Sequence, residues 1–86
     1  MFVIRITLNI PFSEIHAETY QAHLARIEQY KQKGEIVANG AFLDGSGGMI
    51  LYKGSEQGVR AYVDDDPLVK SGAVDVDIKG WDGQFV

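Results

Sequence analysis

The sequence has no cysteine, only two prolines and no long apolar run. Without cysteine the chain can form no disulfide, no zinc–thiolate site and no thiol nucleophile. No stretch approaches the roughly 20 apolar residues that span a bilayer. The apolar N-terminus is interrupted by Arg5, and no small-residue cleavage site of a signal peptide follows it. We therefore expect a soluble, cytoplasmic protein that does not act at a membrane.

Basic residues are also scarce, with 8 Lys and Arg against 12 Asp and Glu, and they are scattered along the chain. Nucleic acids are bound by clustered basic residues, so we expect no nucleic-acid partner. The two histidines, His16 and His23, lie seven residues apart, which is about 10 Å along a helix. That separation is too large for one shared metal ion. We expect neither a metal site nor a cofactor.

Four segments have the pattern of β-strands. Residues 2–10 alternate between apolar and other side chains, which is typical of a half-buried strand. Residues 35–43 and 49–53 flank a turn, 44–48, that is rich in Asp and Gly and predicts a hairpin. The alternation of Val74, Val76 and Ile78 with charged residues predicts the fourth strand.

Two segments have the pattern of helices. Residues 13–33 carry an apolar stripe at steps of three and four, and Gly34 supplies the left-handed exit. Ser55 can cap a second, weaker helix, in which Gly58 costs about 1 kcal/mol relative to alanine. The segment 64–67, three aspartates and a proline, interrupts that helix.

This order of elements predicts a single α+β domain over residues 1–86, with the ferredoxin-like order βαββαβ. Its four-stranded antiparallel sheet would carry both helices on one face. A chain of 86 residues buries a limited share of its surface, and no disulfide stabilises it. We expect a second subunit to cover the open sheet face, which carries Val3, in a homodimer of the dimeric α/β-barrel type.

His23 and Asp66 are the first candidates for chemistry. His23 borders the apolar stripe of the long helix, where an imidazole can serve as an acid or base. From position alone, a histidine hydrogen-bonded at the core edge is the more frequent case. Pro67 forces Asp66 toward extended geometry, so its carboxylate could orient an imidazole. The spacing of the residues does not place the two side chains together.

The chain resembles the YCII (YciI-like) family in several segments. These are 22–27 in the first helix, Gly40, 47–51 in the third strand, and 65–73, which contains Asp66-Pro67. Together they span nearly the whole chain in the family's order. The resemblance implies a ferredoxin-like domain that dimerises through its sheets. It also implies a His–Asp dyad at His23 and Asp66, with Pro67 orienting the aspartate.

One branch of that family is a dehydrochlorinase acting on a chlorinated hydroxyhydroquinone. There the resemblance implies that the dyad removes a proton, while an arginine and a serine stabilise the oxyanion. The corresponding positions here carry Tyr20 and Gly47, with Ser46 beside Gly47. A lost charged donor costs a couple of kcal/mol or more in transition-state stabilisation, so we do not expect that dechlorination. Gly48 and Lys70 complete the predicted pocket residues.

The leading hypothesis is a small acid–base enzyme, a lyase or isomerase acting on a phenolic or other enolisable small molecule. His23 would move the proton and Asp66 would orient it, without a cofactor. The competing hypothesis is a non-catalytic dimeric module that binds a small molecule or a protein, in which the pair is a structural hydrogen bond. A third possibility, a dimeric-barrel monooxygenase or haem-type enzyme, needs an axial ligand or quinone-shaped pocket that the sequence does not indicate.

Overall fold

The computed structural model describes residues 1–86 as a four-stranded sheet with helices between the strands. The strand order in the sheet is second, third, first, fourth, and every neighbouring pair is antiparallel. This confirms the predicted ferredoxin-like α+β fold. The elements are β1 (Phe2–Leu8), α1 (Ala17–Gln32), β2 (Ile36–Ala41), β3 (Gly47–Tyr52), α2 (Glu56–Asp64), α3 (Pro67–Lys70) and β4 (Val74–Gly80).

The first helix begins at Ala17, four residues later than the pattern predicts. Residues 12–14 form one turn of 3-10 helix after Pro11, and Ile15 and His16 are extended. His16 is the N-cap residue, and its carbonyl accepts a hydrogen bond from the Tyr20 N–H at 3.1 Å. The apolar pattern runs through this segment because Phe12 and Ile15 line the same cavity as the helix, described below. Periodicity alone therefore extended the helix too far.

Other boundaries agree more closely. Gly34 has a φ of +77° and ends α1 in the left-handed conformation, as predicted. The Ser55 side chain caps α2 by accepting from the Gly58 N–H at 3.0 Å. The segment 64–67 interrupts the second helix as predicted, since α2 ends at Asp64 and a short helix, α3, begins at Pro67. β3 starts two residues earlier than predicted because Gly47 still pairs with Thr7.

The core lies between the helices and one face of the sheet. Strand pairing arranges the side chains of this face in three rows across the sheet. The rows are Ile36–Tyr52–Phe2, Asn39–Ile50–Ile4–Ile78, and Ala41–Gly48–Ile6–Val76. The first two rows carry large side chains over most of their length. The third row has only Ala41 and Gly48 on β2 and β3, so the space above them is left unfilled.

The edge strand β2 contains a register shift between Ile36 and Ala38. Ile36 pairs with Tyr52 and Ala38 with Leu51, so Val37 is an extra residue in the ladder. An extra residue of this kind is a β-bulge, which changes the face to which the following side chains point. After the bulge, Asn39 pairs with Ile50 on the helix-covered face.

The opposite face of the sheet carries apolar and charged side chains together. Val3 and Arg5 of β1 lie beside Leu51 and Met49 of β3 in the ladder. The helices pack on the other face, through buried residues that include Ile27 of α1 and Val59, Tyr62 and Val63 of α2. None of the helices is both long enough and apolar enough to cross a membrane.

Candidate active site

A cavity of about 380 Å³ lies between α1 and the sheet, above the row that contains Ala41 and Gly48. Helix α1 contributes Tyr20 and His23 to its wall, and the segment before the helix contributes Phe12. Most of the lining side chains are apolar. Ligand sites are commonly apolar hollows of this size with a few placed polar groups, so this cavity is the natural candidate site.

His23 lies on the buried stripe of α1, one turn before Ile27, and meets Asp66 across the two helices. Its Nδ1 is 2.9 Å from Asp66 Oδ1 and 3.0 Å from Oδ2. Both residues are buried, with 6% of His23 and 2% of Asp66 exposed. The structure thus brings together two side chains that are 43 residues apart in the sequence.

The direction of the Asp66 carboxylate is fixed by its own helix. Asp66 is extended, with φ −71° and ψ 127°, and is the N-cap residue of α3, with Pro67 at the first helical position. Its Oδ2 accepts hydrogen bonds from the N–H groups of Leu68 at 3.0 Å and Val69 at 3.4 Å. Pro67 lacks an N–H that would compete for this carboxylate. The Asp-Pro pair therefore pre-orients the group that meets His23.

A second cation lies next to the carboxylate. Arg26 Nη1 is 3.4 Å from Asp66 Oδ1 and donates to the Tyr62 carbonyl oxygen at 3.0 Å. The guanidinium also lies 4.7 Å from the centre of the Tyr62 ring and 5.5 Å from that of Tyr30. Arg26 was not among the predicted site residues, although residues three apart share a helix face and Arg26 follows His23 by three.

These contacts decide the charge state of Asp66. Burial is the largest single influence and would raise the pKa of its carboxyl, while the hydrogen bond and charge of His23 lower it. The backbone N–H groups of Val69 and Leu68 act in the same direction, so the pKa of Asp66 lies below its ordinary value. The ionised carboxylate can only accept hydrogen bonds. The His23 Nδ1 consequently carries a proton and donates it.

The other ring nitrogen of His23 is available to a ligand. In the neutral imidazole Nε2 is the acceptor when Nδ1 is protonated. Nε2 makes no hydrogen bond within the chain. It is also not fully buried, because Tyr62 Oη is the one fully buried side-chain polar atom that lacks a partner. Nε2 is therefore in contact with the cavity that His23 lines. The arrangement supplies a proton acceptor, Nε2, on a ring whose orientation is fixed by the contact between Nδ1 and the Asp66 carboxylate.

The remaining predicted pocket residues divide into two groups. Tyr20, Gly47 and Gly48 line the cavity, and the Tyr20 ring centre lies 6.0 Å from that of His23. Ser46 and Lys70 do not line it. Ser46 is exposed in the hairpin turn, where its N–H donates to Asp44 Oδ1 at 2.9 Å. Lys70 points to the exposed Asp65, with Nζ and Oδ1 3.6 Å apart.

Gly47 cannot be replaced by a residue with a side chain unless the backbone moves. Its φ is +153°, and a Cβ there would overlap the carbonyl oxygen of Ile6 on the neighbouring strand. A serine side chain at this position therefore does not fit the backbone of this chain. Any polar contribution of Gly47 to the cavity must come from its backbone.

Two further cavity residues were missed by the sequence analysis. Phe12 was placed outside the long helix, yet its ring packs edge-on against Tyr20, with centres 4.9 Å apart. Asn39 was read only as part of a strand, but it lines the cavity from the sheet. Asn39 reaches this face only because of the β-bulge at Val37, so no local pattern of the sequence could have identified it.

Comparison with known proteins gives one family and one fold. The family model described as "YCII-related domain" matches residues 1–82. No curated protein matches the chain significantly. Among solved structures, the 5-chloro-2-hydroxyhydroquinone dehydrochlorinase from Burkholderia phenoliruptrix AC1100, in complex with 2,5-dihydroxybenzoquinone, superposes with a TM-score of 0.76. The two are 24% identical, and the match covers 98% of this chain and 96% of that one, which shows a shared fold.

Proposed function

The chain belongs to the YCII-related domain family, and on that premise we propose that it is a small acid–base enzyme of the lyase or isomerase type. The observation that carries the proposal is the state of His23. Its Nδ1 is held by a buried carboxylate at 2.9 Å, while Nε2 contacts the cavity. A histidine oriented in this way is an effective general base.

In the proposed reaction, Nε2 accepts a proton from an O–H or C–H group of the substrate. The bonding electrons stay on the substrate as a phenolate or enolate, and the new imidazolium is stabilised by Asp66. In an isomerisation the proton returns to another atom of the substrate. In an elimination an anionic leaving group departs with its electron pair. The roles of His23 and Asp66 require no cofactor.

The proposed substrate is a phenolic or other enolisable small molecule. The apolar cavity with Phe12 and Tyr20 in its wall suits a ring of modest size. The dehydrochlorinase with the same fold was determined in complex with a quinone that carries ring oxygens. Tyr20 can donate one hydrogen bond but holds no charge, and Gly47 has no side chain. We therefore propose chemistry on such a ring without proposing the dechlorination itself.

The experiment uses His23→Gln, with His16→Gln as the matched control because His16 is the exposed histidine at the helix start. A panel of phenols, halogenated hydroquinones and 1,3-diketones is incubated with each protein in D₂O. Proton NMR follows isotope exchange and the loss of leaving groups. We expect the wild type and His16→Gln to act on the same compounds, and His23→Gln to be at least about 100-fold slower. Undiminished turnover by His23→Gln would refute the proposal.

The burial of Asp66 favours one alternative, a non-catalytic binding module. Asp66 also caps α3 and contacts Arg26, so a purely structural role would account for its position. Unfolding of the same His23→Gln protein separates the two. In a structural pair, removing the imidazole costs about 1–3 kcal/mol because a buried acceptor is left short of donors. In a catalytic pair the imidazole is held for its reaction and not for stability, so the stability changes little or rises.

We also propose that the protein is a homodimer that buries the open face of its sheet. The support is the apolar surface that the single chain leaves uncovered here, namely Met49 at 40% and Trp81 at 45% exposed, with the half-buried Val3 beside Leu51. Sedimentation velocity measures the mass directly. A dimer has twice the 9.5 kDa of the chain, and a single 9.5 kDa species at micromolar concentration would contradict the proposal.

A further inference from the structure

We propose that Asn39 is the second ligand-binding side chain of the cavity. Together with His23, it would select an uncharged single-ring molecule with two oxygen substituents, one for each side chain. This inference rests on the proposed function, because it assigns the ligand class of the same cavity. It adds Asn39 to the site and a rule for which ligands bind, and neither follows from the His23–Asp66 pair.

The absence of charged side chains from the cavity wall supports the first part of the rule. None of the lining residues is Lys, Arg, Asp or Glu, although the chain has 20 such residues elsewhere. The polar side chains in the wall are Tyr20, His23 and Asn39. A carboxylate or phosphate entering the cavity would lose hydration and find only the imidazole as a counter-charge, which is unfavourable. The wall therefore selects against charged ligands.

The position of Asn39 supports the second part of the rule, that the ligand carries two oxygen substituents. After the bulge, Asn39 lies in the row that continues with Ile50, Ile4 and Ile78 on the helix-covered face. Asparagine is depleted in strands, and an aliphatic residue would pack better beside these isoleucines. Asn39 is exposed, and its amide is not tied to another group of the chain, so it is free to pair with a ligand. The other asparagine, Asn9, bonds to Gly72 and Asp75 instead.

His23 and Asn39 approach the cavity from its two walls. His23 belongs to α1 and Asn39 to the sheet, so a flat molecule lying between the layers can reach both. The amide both donates and accepts, and it therefore pairs with a hydroxyl or a carbonyl oxygen. Sites that hydrogen-bond a ligand hydroxyl discriminate strongly against the analogue that lacks it. Asn39 would thus distinguish a ring with two oxygens from a ring with one.

Three ligands and two variants test the inference by NMR titration of ¹⁵N-labelled protein. The ligands are phenol, hydroquinone and 2,5-dihydroxybenzoate, which differ by one hydroxyl and one carboxylate. The variants are Asn39→Leu, which keeps the volume without the amide, and the control Gln57→Leu, which removes an exposed amide from α2 outside the cavity wall. The His23 ring signals and the Asn39 side-chain amide report binding.

We expect hydroquinone to bind the wild type and Gln57→Leu equally, and Asn39→Leu about 10-fold more weakly. Phenol should bind all three proteins alike, and 2,5-dihydroxybenzoate should bind the wild type at least about 10-fold more weakly than hydroquinone. If Asn39→Leu disturbs the edge strand in the amide spectrum, Asn39→Ala takes its place with the same expectation.

The outcomes separate this inference from the proposed function. If hydroquinone shifts the His23 signals and the Asn39 variants bind it as tightly as the wild type, the role of Asn39 is overturned and the proposed function stands. If 2,5-dihydroxybenzoate binds as tightly as hydroquinone, the selection against charge is overturned. If none of the three compounds shifts the His23 signals, the phenolic ligand class fails, and the inference fails with it.

Discussion

The space between the helices and the sheet is filled at one end and hollow at the other. At the filled end Val59, Tyr52 and Tyr62 are at most 2% exposed, and the Tyr30 ring packs edge-on against Tyr62 with centres 4.7 Å apart. At the hollow end Ala41 and Gly48 leave a cavity of about 380 Å³. Both ends share the same sheet and the same helix α1. The size of the side chains in each cross-strand row, and not the fold, therefore decides where a ligand can enter.

Asp66 lies where the two ends meet. On one side it contacts Arg26, whose guanidinium lies over the Tyr62 ring of the filled end. On the other side it contacts His23, which lines the cavity. The same carboxylate thus joins the packed core to the candidate site, and a change there is expected to affect both.

The largest effect is therefore expected for Asp66→Ala. Removing one member of a buried charge pair typically costs about 3–5 kcal/mol, because the remaining partners are left uncompensated. The loss includes the cap of α3, which Asp66 provides through Leu68 and Val69. Urea unfolding measures the change, with the exposed Asp65→Ala as the control. A loss below about 1 kcal/mol would show that the two ends are not joined through this residue.

The same group predicts the response to acid. The pKa of Asp66 is lower in the folded protein than in the unfolded chain, so the folded state favours the ionised form. Its contribution to stability is present above the unfolded pKa of about 3.9 and is lost as the pH falls toward the folded pKa. The melting temperature of the wild type should therefore fall more steeply below about pH 4 than that of Asp66→Asn. Parallel curves would contradict this assignment.

A smaller loss of stability is expected for Gly58→Ala at the filled end, although this substitution usually stabilises a helix. Alanine in a helix is normally about 1 kcal/mol better than glycine. Here the new Cβ would lie 2.7 Å from Tyr52 Oη, which is fixed by a 2.7 Å hydrogen bond to Glu35. We expect a loss of about 1 kcal/mol or more, because the packed tyrosine must move. Thermal and urea unfolding measure it.

A double-mutant cycle with Tyr52→Phe tests the cause of that loss. Without the hydroxyl the overlap disappears, and Gly58→Ala should become neutral or stabilising in the Tyr52→Phe protein. If Gly58→Ala is equally destabilising in both backgrounds, close packing around Tyr52 does not explain the glycine.

The smallest effect on stability is expected for Ala41→Leu at the hollow end. Leucine would extend from the row of Ala41 and Gly48 into space that no side chain occupies, so the stability should change by less than about 1 kcal/mol. Binding of hydroquinone, measured as above, should fall at least about 10-fold. Ala61→Leu is the control, since it makes the same substitution at an exposed position of α2 that does not line the cavity. Unchanged binding by Ala41→Leu would place the ligand elsewhere.

The sequence predicted the fold because each element has a local pattern. The alternation in β1 and the Asp- and Gly-rich turn before β3 depend only on neighbouring residues. The predicted start of α1 was wrong because Ile15 continues the apolar pattern for a different reason, since it lines the cavity from outside the helix. Local patterns cannot tell a buried helix face from a cavity wall.

The candidate site was less accessible to sequence reasoning. Patterns identified His23 and Asp66 separately, but their contact depends on how α1 and α3 pack, and only the family resemblance paired them. Ser46 and Lys70 were placed with the pocket by proximity in the chain, and they point elsewhere. The role of Asn39 depends on strand register, which no local pattern specifies.

The bulge at Val37 changes the alternation of side chains along the edge strand, so the residues after it point to the faces opposite to those that an unbroken strand would give them. Were β2 to run without it, Asn39 would pair with Met49 and its amide would point away from the helices, while Ala38 would take its place beside Ile50. A shift of one residue at the rim of the sheet would therefore exchange an amide for a methyl group in the binding cavity and leave the interior untouched. In a fold of this kind, insertions and deletions in an outer strand offer a short evolutionary path from one ligand to another.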